Sequence, residues 1–386
     1  MTTLVSAAEP RFQKDYIATL DGLRAFAVLL VLWQHIPRFS LPLAVHNIWS
    51  AMFGEDLTRT WPLEIDWLRD KVFAAGYLGV DVFFVLSGFL ITRILLVDKG
   101  RGVPLGHFLV RRFLRIFPIY YLTLLVVWLV EPHAELLWCA LYLSNFYYLV
   151  GPGSVMQHSW SLAVEEHFYL LWPLVVYACS TAVSRRVAMW GLIPLGIVSA
   201  AVLASVWHED LRFVVKASQY GTMFRAAALA CGALLAYCER ALRDRPGRTM
   251  VIAAVMLAAG TALRMVWTFE SMGPWFAVVR LFSFGLTSTS LVMACIAANE
   301  GNGVGARLMR SSPLRFIGRI SYGIYLYHFV IYHWTGLTGG EVVDLRQLPV
   351  IWMITRAVGL TFLVATVSYY VIERPCLKLA SRFRRT

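Results

Sequence analysis

Eleven apolar blocks, most of them 18–22 residues long, recur along the chain. They lie at about 17–36, 76–97, 113–130, 135–150, 163–180, 187–207, 219–238, 250–268, 275–298, 318–335 and 350–372. A helix of roughly 20 apolar residues crosses a hydrocarbon core of about 30 Å. Lipid offers no partners for open backbone groups, so blocks of this length are expected to be helices. Composition agrees: 59% of residues are hydrophobic, 15% are charged and mean hydropathy is +0.63. A soluble domain is about half apolar and a quarter charged. No polar stretch is long enough to bury a core of its own. The expected fold is an all-α polytopic membrane protein with one membrane domain.

Basic residues orient the blocks. If all eleven cross from a cytoplasmic N-terminus, Arg185, Arg186, Arg240, Arg243, Arg245, Arg248 and the C-terminal Arg382, Arg384 and Arg385 fall outside. If the shortest block, 135–150, dips in without crossing, every one of these moves to the cytoplasmic side. There they join Lys99, Arg101, Arg111, Arg112, Arg307, Arg310 and Arg315. The excess of positive charge in cytoplasmic loops favours the second arrangement. It predicts about ten crossings, one short re-entrant segment at 135–150 leading into Gly151-Pro152-Gly153, and both termini in the cytoplasm. The expected divisions are a cytoplasmic segment at 1–15 without a cleavable signal, a membrane domain at 16–376, and a basic tail at 377–386. The largest outer loop, 37–72, holds Trp49, Trp61 and Trp67 and is expected to form a cap. Because the net charge of +12 sits between apolar blocks, the expected partner is the bilayer of a cell membrane and not nucleic acid. The six cysteines lie in or beside apolar segments without metal or CxxC spacing, so neither disulfides nor a metal is expected.

Ionisable side chains inside membrane helices are costly, by about 2.5–3.5 kcal/mol on insertion scales, which makes each a functional candidate. They fall in two layers. The inner layer contains Arg24 in LDGLR (20–24) and Arg112 and Arg115 in RRFLR (111–115). Arg112 and Arg115 are three apart and share a helix face. Guanidinium forks in this arrangement suit phosphates, although each could equally anchor its helix end. The outer layer contains His35, Asp81, Glu165 and Glu166. A histidine beside a carboxylate is the general-base arrangement for activating a hydroxyl. Asp81 could also hold a structural arginine, and acidic residues in a first helical turn complement the macrodipole. Arg24 and His35 are eleven residues apart, roughly 16 Å at 1.5 Å per residue. That separation suits a long donor such as an acyl-CoA, with phosphates at one end and a thioester at the other. Arg225, Arg264, Arg280 and Arg356 lie in the outer halves of their blocks, where they either snorkel or form a basic vestibule for an anionic acceptor. His328 and His333 read as packing or hydrogen-bonding residues.

Six stretches in order carry a family resemblance: LDGLR at 20–24 followed by His35, GVDVFFVLSGFLI at 79–91, RRFLRIFP at 111–118, WSLAVEEHFYLLWP at 160–173, FIGRISYGIYLYH at 316–328, and ERP at 373–375. Together, over residues 16–376, they resemble the acyltransferase-3 family of membrane O-acyltransferases. The resemblance implies transfer of an acetyl or other short acyl group from acyl-CoA, as co-substrate, to a hydroxyl of an extracytoplasmic glycan or glycoside. It gives His35 the histidine role in transfer and Arg24, Arg112 and Arg115 the role of essential arginines at the donor. Glu165 and Glu166 carry over with a less defined role. His167 departs from the glutamine common in the fourth motif. No hydrolase-like domain follows the last block, so the chain is expected to act alone or with a separate extracytoplasmic transferase.

The expected chemistry is that His35, polarised by Asp81 or Glu165, deprotonates an acceptor hydroxyl, or itself accepts the acyl group covalently. The residues do not separate these routes, nor do they name the acyl group or acceptor. A rival from another class is a transporter of a glycan or small solute using the same charges for coupling. Matching halves, the common mark of such carriers, are absent. An inactive scaffold would have no need of all these polar groups.

Overall fold

The computed structural model describes residues 16–36, 76–266, 273–337 and 348–384. The expected N-terminal segment, the outer loop with its three tryptophans, the connection holding Arg346 and the last two residues of the tail lie outside the described residues. Among the described residues every element is helical. The long helices are α1 (Ala18–His35), α2 (Tyr77–Gly100) and α3 (Leu105–Val130). The short α4 (Glu135–Ala140) and α5 (Ser144–Val150) follow, then α6 (Trp160–Ala178) and α7 (Thr181–Val206). Next come α8 (Leu211–Tyr220), α9 (Thr222–Asp244), α10 (Pro246–Val266) and α11 (Phe276–Ala297). The chain ends with α12 (Val304–Met309), α13 (Ser312–Trp334), α14 (Leu348–Ser368) and α15 (Arg374–Ser381).

Among the described residues seven helical stretches are long and apolar enough to cross a membrane: Tyr77–Gly100, Leu105–Val130, Thr181–Val206, Leu211–Asp244, Pro246–Met265, Gly273–Ala297 and Ile351–Ser381. Large apolar side chains such as Leu129, Leu171, Val255 and Val371 are largely exposed on the outside of the bundle, as a lipid-facing surface requires. The chain is a multi-pass membrane protein. Three further helices, α1, α6 and α13, are 18, 19 and 23 residues long. They fall outside the seven because polar groups, including Arg24, Glu165, Glu166 and His328, lower their hydropathy.

The block at 135–150 is broken into helices of six and seven residues, each about 10 Å long and too short to cross. Tyr142, at the break, has a left-handed backbone (φ 55°). A helix broken inside a membrane exposes carbonyls, and such backbone is tolerated only where protein satisfies it. Here Tyr120 donates to the Cys139 carbonyl (2.8 Å), Tyr121 to that of Ala140 (2.7 Å) and His167 Nε2 to that of Tyr142 (3.0 Å). The buried Glu135 closes the turn, accepting from the Tyr148 hydroxyl (2.9 Å) and the Met156 amide (3.2 Å).

Helices α2 and α9 form a three-point seam. Asp81 Oδ1 and Arg225 Nη1 are 2.9 Å apart near one end, both buried. Arg93 Nε and Glu239 Oε2 are 2.6 Å apart near the other. Between them Gly88 faces the Leu229 backbone and Gly232 faces that of Val85, so that a Cβ at either glycine would strike main chain. Small residues at a crossing let membrane helices approach closely. At the end where α1 begins, Lys99 Nζ donates to the Val176 and Cys179 carbonyls (2.8 and 2.6 Å) and closes the end of α6. Arg310 does the same for the Asn299 and Gly301 carbonyls after α11 (2.6 and 2.5 Å).

Removing one partner of a buried ion pair typically costs about 3–5 kcal/mol, while replacing both by apolar groups is often neutral. Asp81→Asn should therefore lower the melting temperature of the detergent-purified chain, and Asp81→Leu with Arg225→Leu should recover most of the loss. An Asp81→Asn protein that melts with the wild type would mean that the pair does not hold the seam.

Candidate active site

Helices α1, α2, α3, α6 and α13 surround a cavity of about 90 Å³. Arg24, Arg112, Arg115, Glu165 and Glu166 all line it, with Ser87, Ser161, Tyr169 and Tyr325 among the remaining wall residues. Helical period explains the convergence. Arg112 and Arg115 project from one face of α3, and Glu165, Ser161 and Tyr169 recur every four residues on α6. Arg24 lies in the second turn of α1.

The guanidinium groups differ in their support. Arg24 Nη1 is 3.3 Å from Asp21 Oδ1, and Asp21 is also bonded by the Tyr16 hydroxyl. The Arg112 guanidinium carbon lies over the Tyr169 ring, 3.9 Å from its centroid, and its buried Nε has no hydrogen-bond partner. Among the described residues neither Arg112 nor Arg115 forms a salt bridge. Stacking fixes the Arg112 plane while leaving its donors unused. Arg115 is exposed and also lines the cavity. Opposite, Glu165 Oε2 is 2.5 Å from the Tyr169 hydroxyl, which is 3.0 Å from Ser87 Oγ. Glu166 is buried, and among the described residues nothing hydrogen-bonds its carboxylate.

His35 is not part of that wall. It stands beyond Tyr325, in a cluster of three imidazoles. The His35 and His328 ring centroids are 5.0 Å apart, those of His158 and His328 5.3 Å, and Phe329 packs edge-on against His35 at 5.1 Å. Tyr325 belongs to both places. It lines the cavity, its hydroxyl donates to the His158 carbonyl (3.0 Å) and lies 2.5 Å from Ser161 Oγ, and its ring is 5.6 Å from that of His328.

Hydrogen bonding assigns the protons. His35 Nδ1 lies 2.9 Å from the Val31 carbonyl, and His328 Nδ1 lies 2.6 Å from the Tyr325 carbonyl. A carbonyl only accepts, so each neutral ring carries its proton on Nδ1. His328 Nε2, 3.3 Å from His35 Nδ1, is then a second acceptor for the same proton. The result is a lone pair on His35 Nε2, which has no hydrogen-bond partner among the described residues. His158 carries its proton on Nε2, which donates to the Leu326 carbonyl (3.0 Å), and its Nδ1 is buried without a partner.

The other candidates lie elsewhere. Asp81 is bound to Arg225, whose Nε donates to the Gln219 carbonyl (3.0 Å), and it neither lines the cavity nor touches His35. Arg356 stacks on Trp352 (4.7 Å), and His333 pairs with Glu131 (3.2 Å). His158, Tyr325, Ser161 and Tyr169 were not singled out by sequence reasoning. Only the last three had a signal, sharing a helix face with Glu165 or His328. Among the described residues no group of histidine, cysteine and carboxylate side chains is arranged to hold a metal.

A family model described as an acyltransferase domain matches residues 17–372. Among curated proteins, YrhL of Bacillus subtilis is 30% identical over 93% of this chain and 55% of its own length. The peptidoglycan O-acetyltransferase OatA of Listeria monocytogenes is 29% identical over 95% of this chain and 57% of its own. The O-acetyltransferase OatA of Staphylococcus aureus is 26% identical over 96% and 58%. The chain thus spans just over half the length of these relatives. No solved structure matches it. With the family match running from the start of α1 to the turn before α15, through every residue of the cavity and of the imidazole cluster, the chain belongs to the acyltransferase-3 family.

Proposed function

We propose that the chain transfers an acetyl or other short acyl group from cytoplasmic acyl-CoA to a hydroxyl of an extracytoplasmic glycan. The observation that carries this reading is the meeting of three guanidinium groups on one cavity, whose wall residue Tyr325 packs on His328, the ring that in turn contacts His35. The names of the relatives make a peptidoglycan-type acceptor the first to try.

In this reading α1, α2, α3, α6, α7, α9, α10, α11, α13 and α14 are ten crossings of the cell membrane, α4–α5 is the re-entrant segment, and both termini are cytoplasmic. The gathering of Lys99, Arg111 and Arg310 at the end where α1 begins supports it. The membrane domain spans 16–376, followed by the basic tail.

Arg112 and Arg115 bind donor phosphates with their unused forks, and Arg24 completes the cradle. Tyr325 stands between the cavity and the imidazole cluster, so the pantetheine arm enters by moving Tyr325 aside. At His35 the acceptor oxygen attacks the thioester carbonyl while Nε2 takes its proton. The C–S bond breaks, and the departing thiolate of CoA receives that proton. The same lone pair also serves a relayed transfer, in which Nε2 carries the acyl group before the hydroxyl takes it. Acid-quenched mass spectrometry of the enzyme with donor alone separates the routes, because only the second adds an acyl mass to His35. Glu165 and Glu166, on the cavity wall, balance the arginines before the donor binds.

His35→Ala should lower transfer by about 10²–10⁴-fold, the range for loss of a general base, with insertion unchanged. His328→Ala should cost about tenfold by freeing the His35 ring, and His328→Gln should restore part of it. Wild-type turnover by His35→Ala would remove that residue from the chemistry.

Arg112→Gln and Arg115→Gln should each weaken donor use roughly tenfold to a hundredfold in kcat/KM, the equivalent of one charge-assisted contact. The loss should appear in the KM for acyl-CoA and not in that for the acceptor.

Purified protein in liposomes, given labelled acetyl-CoA on one side and glycan on the other, should place label on the glycan without moving it. Intact solute crossing the bilayer, with no label transferred, would make the chain a carrier.

A further inference from the structure

A second cavity, of about 240 Å³, lies between α8, α10 and α11 and shares no lining residue with the first. It sits at the end of the bundle where α1 finishes. Tyr77, on its wall, opens α2 directly after Gly76, which packs against Gln34 and Leu30 of α1. Two guanidinium groups line it, Arg264 from the last turn of α10 and Arg280 from the second turn of α11.

Arg280 is held by ring faces, 5.1 Å from the Tyr77 centroid and 5.6 Å from that of Phe284. Among the described residues it forms no salt bridge. The neighbouring carboxylate, Asp81, is bound by Arg225 at 2.9 Å. A cation at membrane depth is costly without a counter-charge, and among the described residues no carboxylate pairs with this one, which suits it to an anion.

The remaining wall decides which anion. Val215, Leu263, Phe276, Val279 and Phe284 make it mostly apolar. A free phosphate would give up hydration against those side chains without compensation. A lipid phosphate would not, because its chains would cover them. Access fits as well: α10, which lends Leu263 and Arg264 to the wall, is apolar and mostly unburied along its length. We infer that this cavity binds the headgroup of an anionic phospholipid from the surrounding leaflet, on Arg280 and Arg264, with its chains along the apolar wall.

The test is native mass spectrometry of the full chain released from nanodiscs holding equal parts phosphatidylglycerol and phosphatidylcholine. Phosphatidylglycerol should be retained in preference, and Arg280→Gln should reduce its retention about tenfold, as for loss of a charge-assisted hydrogen bond. Leu263→Trp fills the apolar side and leaves both guanidinium groups in place, and it should lose the lipid too. An excess of inorganic phosphate should not displace it. Equal retention of the two lipids, full retention by either variant, or displacement by free phosphate would each overturn the inference. If Arg280→Gln is not monodisperse, Leu263→Trp and the phosphate competition decide alone.

Discussion

Arg112 and Arg115 face a cavity inside a helix bundle without a salt bridge of their own among the described residues, and most other features of the molecule follow from that. A guanidinium at membrane depth is stable only with a counter-charge, water or a ligand. At three other places this chain meets the demand internally, through Asp81 and Arg225, Arg93 and Glu239, Arg111 and Asp98. At the cavity it supplies a stacking ring and two carboxylates on the opposite wall, and leaves the donors of Arg112 open. Selective incompleteness of this kind is what separates a binding site from a structural pair.

Holding such a site requires rigid surroundings. The α2–α9 seam provides them with an ion pair toward each end and glycines at the crossing. The α4–α5 break brings Tyr142, Ser144 and Asn145 inward, with tyrosine hydroxyls and His167 satisfying the open carbonyls. The helices that carry the chemistry, α1, α6 and α13, are the ones whose polar groups set them apart from the seven most apolar stretches. They are sheltered by neighbours that are apolar enough to face lipid.

Depth along a helix is legible in a sequence because it is a count of residues; direction around the bundle is not. The i,i+3 spacing placed Arg112 and Arg115 on one face, and the structure brings them together with Arg24, Glu165 and Glu166. Asp81 has the same nominal depth as His35, yet it points across to α9 and Arg225, a partner 144 residues away. His328 reads as a packing or hydrogen-bonding residue, and it hydrogen-bonds Tyr325 and His35, but nothing local shows that His35 and His158 meet it from α1 and from the turn before α6. Length and charge balance mark 135–150 as a segment too short to cross, but the break at Tyr142 carries no signal in the sequence. The side chains that satisfy its carbonyls, Tyr120, Tyr121 and His167, come from other helices and could not be assigned before the fold was known.

The central claim concerns where the two ends of a donor sit, and a structure of the protein with bound coenzyme A tests it most directly. The account predicts the pyrophosphate against Arg112 and Arg115 with Arg24 beside it, the Tyr325 ring displaced, and the thiol within reach of His35 Nε2. A coenzyme bound elsewhere, or one whose thiol remains walled off from His35 by a closed Tyr325, would contradict it.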